Sequence, residues 1–207
     1  MKNKLLLTLT AGAVLMLGSA FVLWGSRAGT NTTGENLLLP LTADLRATKE
    51  HVERANTPNI PENWVAYRLT TFDGGLTIRH PQGLLIHKSD QEGTTPRVAV
   101  NFIFNTPDNR SFLNDGSGGQ PPGMQIAVLR TGIDSEAYMK ARTSQPHTNA
   151  TLFGKEAIVY TGQGMDRWDV ILFSRNNNLY EITIEYGSIG DELHTAFYRM
   201  LSSLVIE

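Results

Sequence analysis

Two histidines and four acidic residues have the spacing that chemistry could use. His80 and His87 lie either side of Pro81-Gln82-Gly83. The proline fixes φ and the glycine tolerates a positive φ, so Leu76 to His80 and Leu84 to Lys88 are expected to pair as a β-hairpin. A metal bound between the two histidines would need them on one rung. Pairing around this turn sets His87 opposite about Thr77, off the rung of His80; solvated or edge histidines are the plainer expectation. Asp166, Asp169, Glu181 and Glu185 fall on a second hairpin, Trp168 to Ser174 and Leu179 to Tyr186, joined through Arg175 and Asn176-Asn177-Asn178. Paired carboxylates are what general acid–base chemistry requires. Beside Arg167 and Arg175, however, they read first as the wet face of an antiparallel sheet. Trp168, set among Asp166, Arg167 and Asp169, either turns into the core while its neighbours turn out, or offers an aromatic binding surface. The candidate binding surface is therefore Trp168, Asp169, His80 and His87.

Other signatures of catalysis or cofactor binding are missing. The sequence has no nucleotide-binding loop, H-E-x-x-H, G-x-S-x-G or calcium loop. Gly116-Ser117-Gly118-Gly119 lacks the Gly-Lys-Ser/Thr ending of a phosphate cradle and runs into Pro121-Pro122, so Asn105 to Gly123 is expected to be a mobile loop. Ser135, Ser144 and Ser174 have no histidine beside them. With no cysteine, disulfides, thiolate metal sites and thiol nucleophiles are excluded. A net charge of −2, a charged fraction of 18% and no block of like charge argue against nucleic-acid partners and broad adhesion to anionic lipid. No cofactor is expected.

The elements that must position these residues begin after a targeting segment. Lys2 and Lys4 precede an uncharged run from Leu5 to Trp24, long enough as a helix to cross the hydrocarbon core of a bilayer. The flanking charge predicts a cytoplasmic N-terminus and an exported remainder. Span length favours a retained anchor, while Ser26-Arg27-Ala28 would serve for cleavage of a signal peptide. The chain divides into residues 1–28 as anchor or signal peptide, 29–63 as linker, and 64–207 as one domain. Within the linker, Arg27 to Glu35 reads as a flexible spacer, and Thr42 caps a helix to about Ala55. Leu38, Leu41, Leu45, Thr48, Val52 and Ala55 recur at alternating steps of three and four, a stripe suited to docking on the chain's own domain or, with more difficulty, to self-pairing as a coiled coil.

From Trp64 the period becomes two. Val98, Val100, Phe102 and Phe104 form one strand face and Met124, Ile126 and Val128 another. On the last long strand Tyr180, Ile182, Ile184 and Tyr186 face one way, and Glu181, Thr183 and Glu185 the other. Asp134 caps a helix to about Thr143, with Ile133 and Tyr138 as a staple. Ser188 and Asp191 have capping-box spacing ahead of a stripe of Ile189, Leu193, Phe197, Met200, Leu201 and Leu204. The expected fold is α+β: a mainly antiparallel sheet covered by helices, an α/β sandwich.

The order of these elements resembles the PsbP-like superfamily of extracytoplasmic domains. The likeness rests on Gly75-Leu76-Thr77-Ile78-Arg79-His80-Pro81-Gln82-Gly83-Leu84, on Gly154-Lys155-Glu156-Ala157 leading a strand, and on the closing Phe197-Tyr198-Arg199-Met200-Leu201-Ser202-Ser203-Leu204. His80 and Leu84 depart from the family's usual aromatic and tryptophan. What the resemblance implies is an accessory or binding role outside the cytoplasm; taken with the tether and the absent catalytic motifs, the expectation is a non-enzymatic domain with a protein partner or small ligand. Two rivals stand beside it: a small hydrolase in which His80, His87, Asp169 or Glu181 meet in one cleft, and a membrane-anchored structural subunit.

Overall fold

The alternating segments form two antiparallel sheets. The computed structural model describes residues 35–70, 75–91, 97–115, 123–129, 135–142, 146–163, 167–187 and 190–207. The Leu5 to Trp24 span, the Ser26-Arg27-Ala28 site, the Gly116 to Gly119 run, Asp134, Asp166 and Ser188 lie outside them. No helix among the described residues is long and apolar enough to cross a membrane. The smaller sheet orders β1 (Val65–Leu69), β2 (Leu76–His80) and β10 (Val205–Ile206) with β2 in the middle. The larger one takes β3 (Leu84–Gln91), β4 (Arg97–Phe104), β5 (Gly123–Leu129), β6 (His147–Leu152), β7 (Lys155–Gln163), β8 (Arg167–Arg175) and β9 (Asn178–Tyr186). Its order is β3-β4-β5-β9-β8-β7-β6. Among the described residues four helices join them: α1 (Glu35–Arg54), α2 (Pro107–Asp115), α3 (Ser135–Arg142) and α4 (Glu192–Ser202).

One apolar core fills the space between the inner face of the larger sheet, α1, α4 and the smaller sheet. Val100, Phe102, Ile126, Ile171, Phe173, Ile182 and Ile184 supply the sheet's side of it, Val52 and Ala55 that of α1, and Phe197, Met200 and Leu201 that of α4. Leu76 and Ile78 close it from the smaller sheet. A second cluster sits on the outer face, where Tyr138 of α3 packs with Ile158, Tyr160, Val170, Leu172 and Trp168. The sheet is thus covered in part on both sides, and Ala99, Ala127 and Leu129 are buried as well as their inward neighbours.

Local chemistry explains the turns. Asn176 and Asn177, at φ 51° and 62°, close the β8–β9 hairpin in register Arg175↔Asn178; both central residues of such a two-residue turn need positive φ, which asparagine tolerates. Phe153 and Gly154 do the same between β6 and β7. At α4 the cap is Asp191, whose Oδ1 accepts the His194 N–H at 2.7 Å; the helix therefore starts after Asp191, not after Ser188.

Three further expectations are corrected. Leu76–His80 and Leu84–Gln91 do not form a hairpin: β2 has both edges occupied by β1 and β10, so β3 pairs with β4 in the other sheet. Gly83, at φ 85°, turns the chain from one sheet to the other. Residues 107–115 of the expected mobile loop are helical, because Thr106 caps the turn, accepting the Asn109 N–H at Oγ1, and Pro107 occupies the first helical position. The helix expected from Thr42 begins at Glu35 and contains Pro40. Its stripe of Leu45, Thr48, Val52 and Ala55 is buried, with the helix packed on β6, β7 and α4.

Candidate functional site

Parity along β8 places a carboxylate in the core. Asp169 pairs with Thr161 on one side and Ile184 on the other, in step with Ile171 and Phe173, so its side chain rises from the inner face and is fully buried. An ionised carboxylate there is costly unless hydrogen bonds replace its water. Three hydroxyls do so. Thr48 Oγ1 of α1 and Tyr186 OH of β9 each lie 2.9 Å from Oδ1, and Tyr198 OH of α4 donates to Oδ2 at 2.8 Å. Thr48 also lies 3.0 Å from the Asp44 carbonyl oxygen, so its single proton is shared between two acceptors.

His194, one helical turn before Tyr198, completes the group with Nε2 at 3.6 Å from Oδ2. Its Nδ1 accepts the Gly190 N–H at 3.2 Å. That contact leaves the neutral ring's proton on Nε2, facing the carboxylate. The buried imidazole packs against Tyr186, Tyr198 and His51 with centroids 4.3, 4.9 and 4.7 Å away. Just outside, Arg167 binds Asp44 of α1 at 3.2 Å.

The electrostatics hold every hydroxyl in its donor form. Burial, then the Asp169 charge, raises the Tyr198 phenol well above its ordinary range, and the same two causes raise Tyr186. Burial lowers the half-buried His51 below its usual 6.5, helped by His194 and Arg54 and opposed by Asp169 and Glu50. The arrangement is a fastening: one carboxylate joins two helices to two strands.

The four residues of the expected binding surface are not brought together. Asp169 is in the core. Trp168, its neighbour, turns to the opposite face, half-buried beside Tyr160 with ring centroids 6.0 Å apart. Its indole lies where a Cβ on Gly162 would come within 1.9 Å of a ring carbon, so glycine is what lets the ring lie flat on β7. The expected direction of the pair is reversed, with the carboxylate inside and the tryptophan on the outer face. His80 is buried in the smaller sheet, paired with Val65, its Nδ1 2.8 Å from the Pro81 carbonyl. His87 is exposed on edge strand β3 opposite Asn101, not Thr77.

Glu181 also departs from the expected wet face. It is 7% exposed on the outer side, in register with Leu172, and its Oε2 accepts Tyr138 OH at 2.6 Å. Asp169 and Glu181 therefore lie on opposite faces of the sheet. Among the described residues no group of three or more histidines and acids has the geometry of a metal site. Thr48, His51, Tyr186, His194 and Tyr198 were not singled out by sequence. A signal existed: Asp169 shares parity with Ile171 and Phe173, and Thr48 is the polar member of an apolar stripe.

Among solved structures the chain is similar to cyanobacterial PsbP. The solution structure of that protein from Synechocystis matches with a TM-score of 0.42 and 9% sequence identity, covering 73% of this chain and 97% of its own. No model of a known sequence family matches the chain, and no curated protein matches it.

Proposed function

We propose that this chain is a non-enzymatic binding or accessory domain, displayed outside the cytoplasm on a membrane-tethered N-terminal segment. The observation that carries this reading is the condition of Asp169. Its oxygens are engaged by Thr48, Tyr186 and Tyr198 within the core, whereas a general base needs a lone pair within reach of a substrate proton. A hydrolase assembled from His80, His87, Asp169 and Glu181 would require side chains from two sheets and from opposite faces of one sheet to share a cleft. The PsbP-like motifs point to the same accessory role. The Lys2 to Trp24 pattern supports export and anchoring.

A reporter fused after Glu207 should be active outside the cytoplasm, and the full chain should stay with membranes through an alkaline carbonate wash. Cytoplasmic reporter activity overturns the export reading; release with a mature N-terminus at Gly29 overturns the anchor alone. Hydrolysis of ester, phosphate or glycoside substrates by the purified chain, lost in Asp169→Asn while the fold persists, would reinstate the hydrolase.

A further inference from the structure

We propose that α1 is a strap that acid releases from the sheet, with His51 as the group whose protonation undoes it. The device stands first on how α1 is held. Among its described side chains the docked face is Leu45, Thr48, Val52 and Ala55, a narrow apolar seam with a hydroxyl and a methyl at two of four positions. Polar contacts supply much of the remaining attachment: Arg167 to Asp44, Thr48 to Asp169, and Asn56, whose amide spans the β6–β7 turn by donating to the Thr151 carbonyl at 2.7 Å and accepting the Phe153 N–H at 2.6 Å. A helix held this way depends on its tertiary contacts, since in a folded protein most helical stability comes from packing of the amphipathic face.

His51 sits where these contacts meet α4. Its ring lies edge-on to His194 at 4.7 Å and tilted on Tyr198 at 5.1 Å. The groups that face it are His194 and Tyr198 from α4, Asp169 from β8, and Glu50 and Arg54 from α1 itself; Tyr186 of β9 stands behind His194 and Asp169. β6 and β7, on which α1 also packs, bring His147, Lys155 and Glu156 to the groove beside Lys49 and Glu53. A proton on His51 places a cation against the edge of His194 and near Arg54, in a half-buried position. Burial first, then His194 and Arg54, make the docked ring take a proton less readily than a free one, and Asp169 and Glu50 offset this only in part.

The sign follows from linkage. The docked state binds fewer protons at His51 than the undocked state, so docking is fully favoured above the ordinary value of 6.5 and weakens as pH falls through the docked value. α4 lacks this dependence on a thin seam, because Phe197, Met200 and Leu201 are wholly buried. Acid therefore lifts α1 and leaves the sheet and α4 in place, uncovering the β6–β7 face.

The test is hydrogen–deuterium exchange on the full chain in detergent at about pH 8 and about pH 5, with rates corrected for intrinsic exchange. Amides of residues 43–54 should lose protection several-fold at the lower pH while those of β9 do not change. His51→Phe keeps a ring against His194 and Tyr198 and should remove the pH response; if that variant fails to fold, His51→Gln takes its place. The proposal is overturned by an undiminished response in the neutral variant, by loss of protection shared equally with β9, or by no loss in the wild type.

Discussion

Asp169 and Glu181 are buried carboxylates on adjacent strands, and the sheet between them separates two different uses of the same chemistry. Asp169 faces the principal core and meets hydroxyls from α1, β9 and α4. Glu181 faces the smaller outer cluster and meets Tyr138 of α3. The expected structural weight of each follows from how many separate elements its oxygens engage. On the inner face the charge is the point where two helices are tied to the sheet. On the outer face it anchors one short helix.

The largest effect should come from adding an inner-face carboxylate without partners. Leu201→Asp puts a charge into the fully buried α4 interface, and the expected cost is about 5 kcal/mol in chemical denaturation; an unchanged melting temperature would show that α4 does not pack here. Next, Asp169→Ala strands the buried Tyr186 and Tyr198 hydroxyls and leaves Thr48 only the Asp44 carbonyl, for about 3–5 kcal/mol. Because those donors belong to α1, β9 and α4, exchange protection should fall in both helices together. Glu181→Gln keeps an acceptor for Tyr138 and should cost about 1 kcal/mol, measured in the same denaturation assay. Equal costs for Asp169→Ala and Glu181→Gln would break the comparison. A cost for Glu181→Gln confined to the protection of α3 would sharpen it.

Much of the fold was legible because burial period and turn chemistry act locally. The β8–β9 hairpin follows from Asn176 and Asn177, and the inward set Tyr180, Ile182, Ile184 and Tyr186 follows from strict alternation. The parity of Asp169 with Ile171 and Phe173 was equally visible, but a charge in a period-two run normally marks the solvent side, and nothing local shows that three hydroxyls converge on it. α2 was missed where Thr106-Pro107 announced it, because the glycines and prolines after Asp115 suggested a loop throughout.

The sequence by itself determined β2, β3, β4, β5, β8 and β9, the turn of the last hairpin, the apolar stripes of α1 and α4, and the chain's α+β character. Those depend on the spacing of side chains along one segment. Tertiary structure alone decided that β2 and β3 join different sheets, since β10, distant in the chain, takes the edge of β2 that β1 leaves open, and β3 pairs with β4 instead. It also decided the fastening at Asp169. Thr48, Tyr186 and Tyr198 come from three elements, and only the packing of α1 and α4 over one face of the sheet brings their hydroxyls within hydrogen-bonding reach of a single carboxylate, with His194 Nε2 just beyond at 3.6 Å.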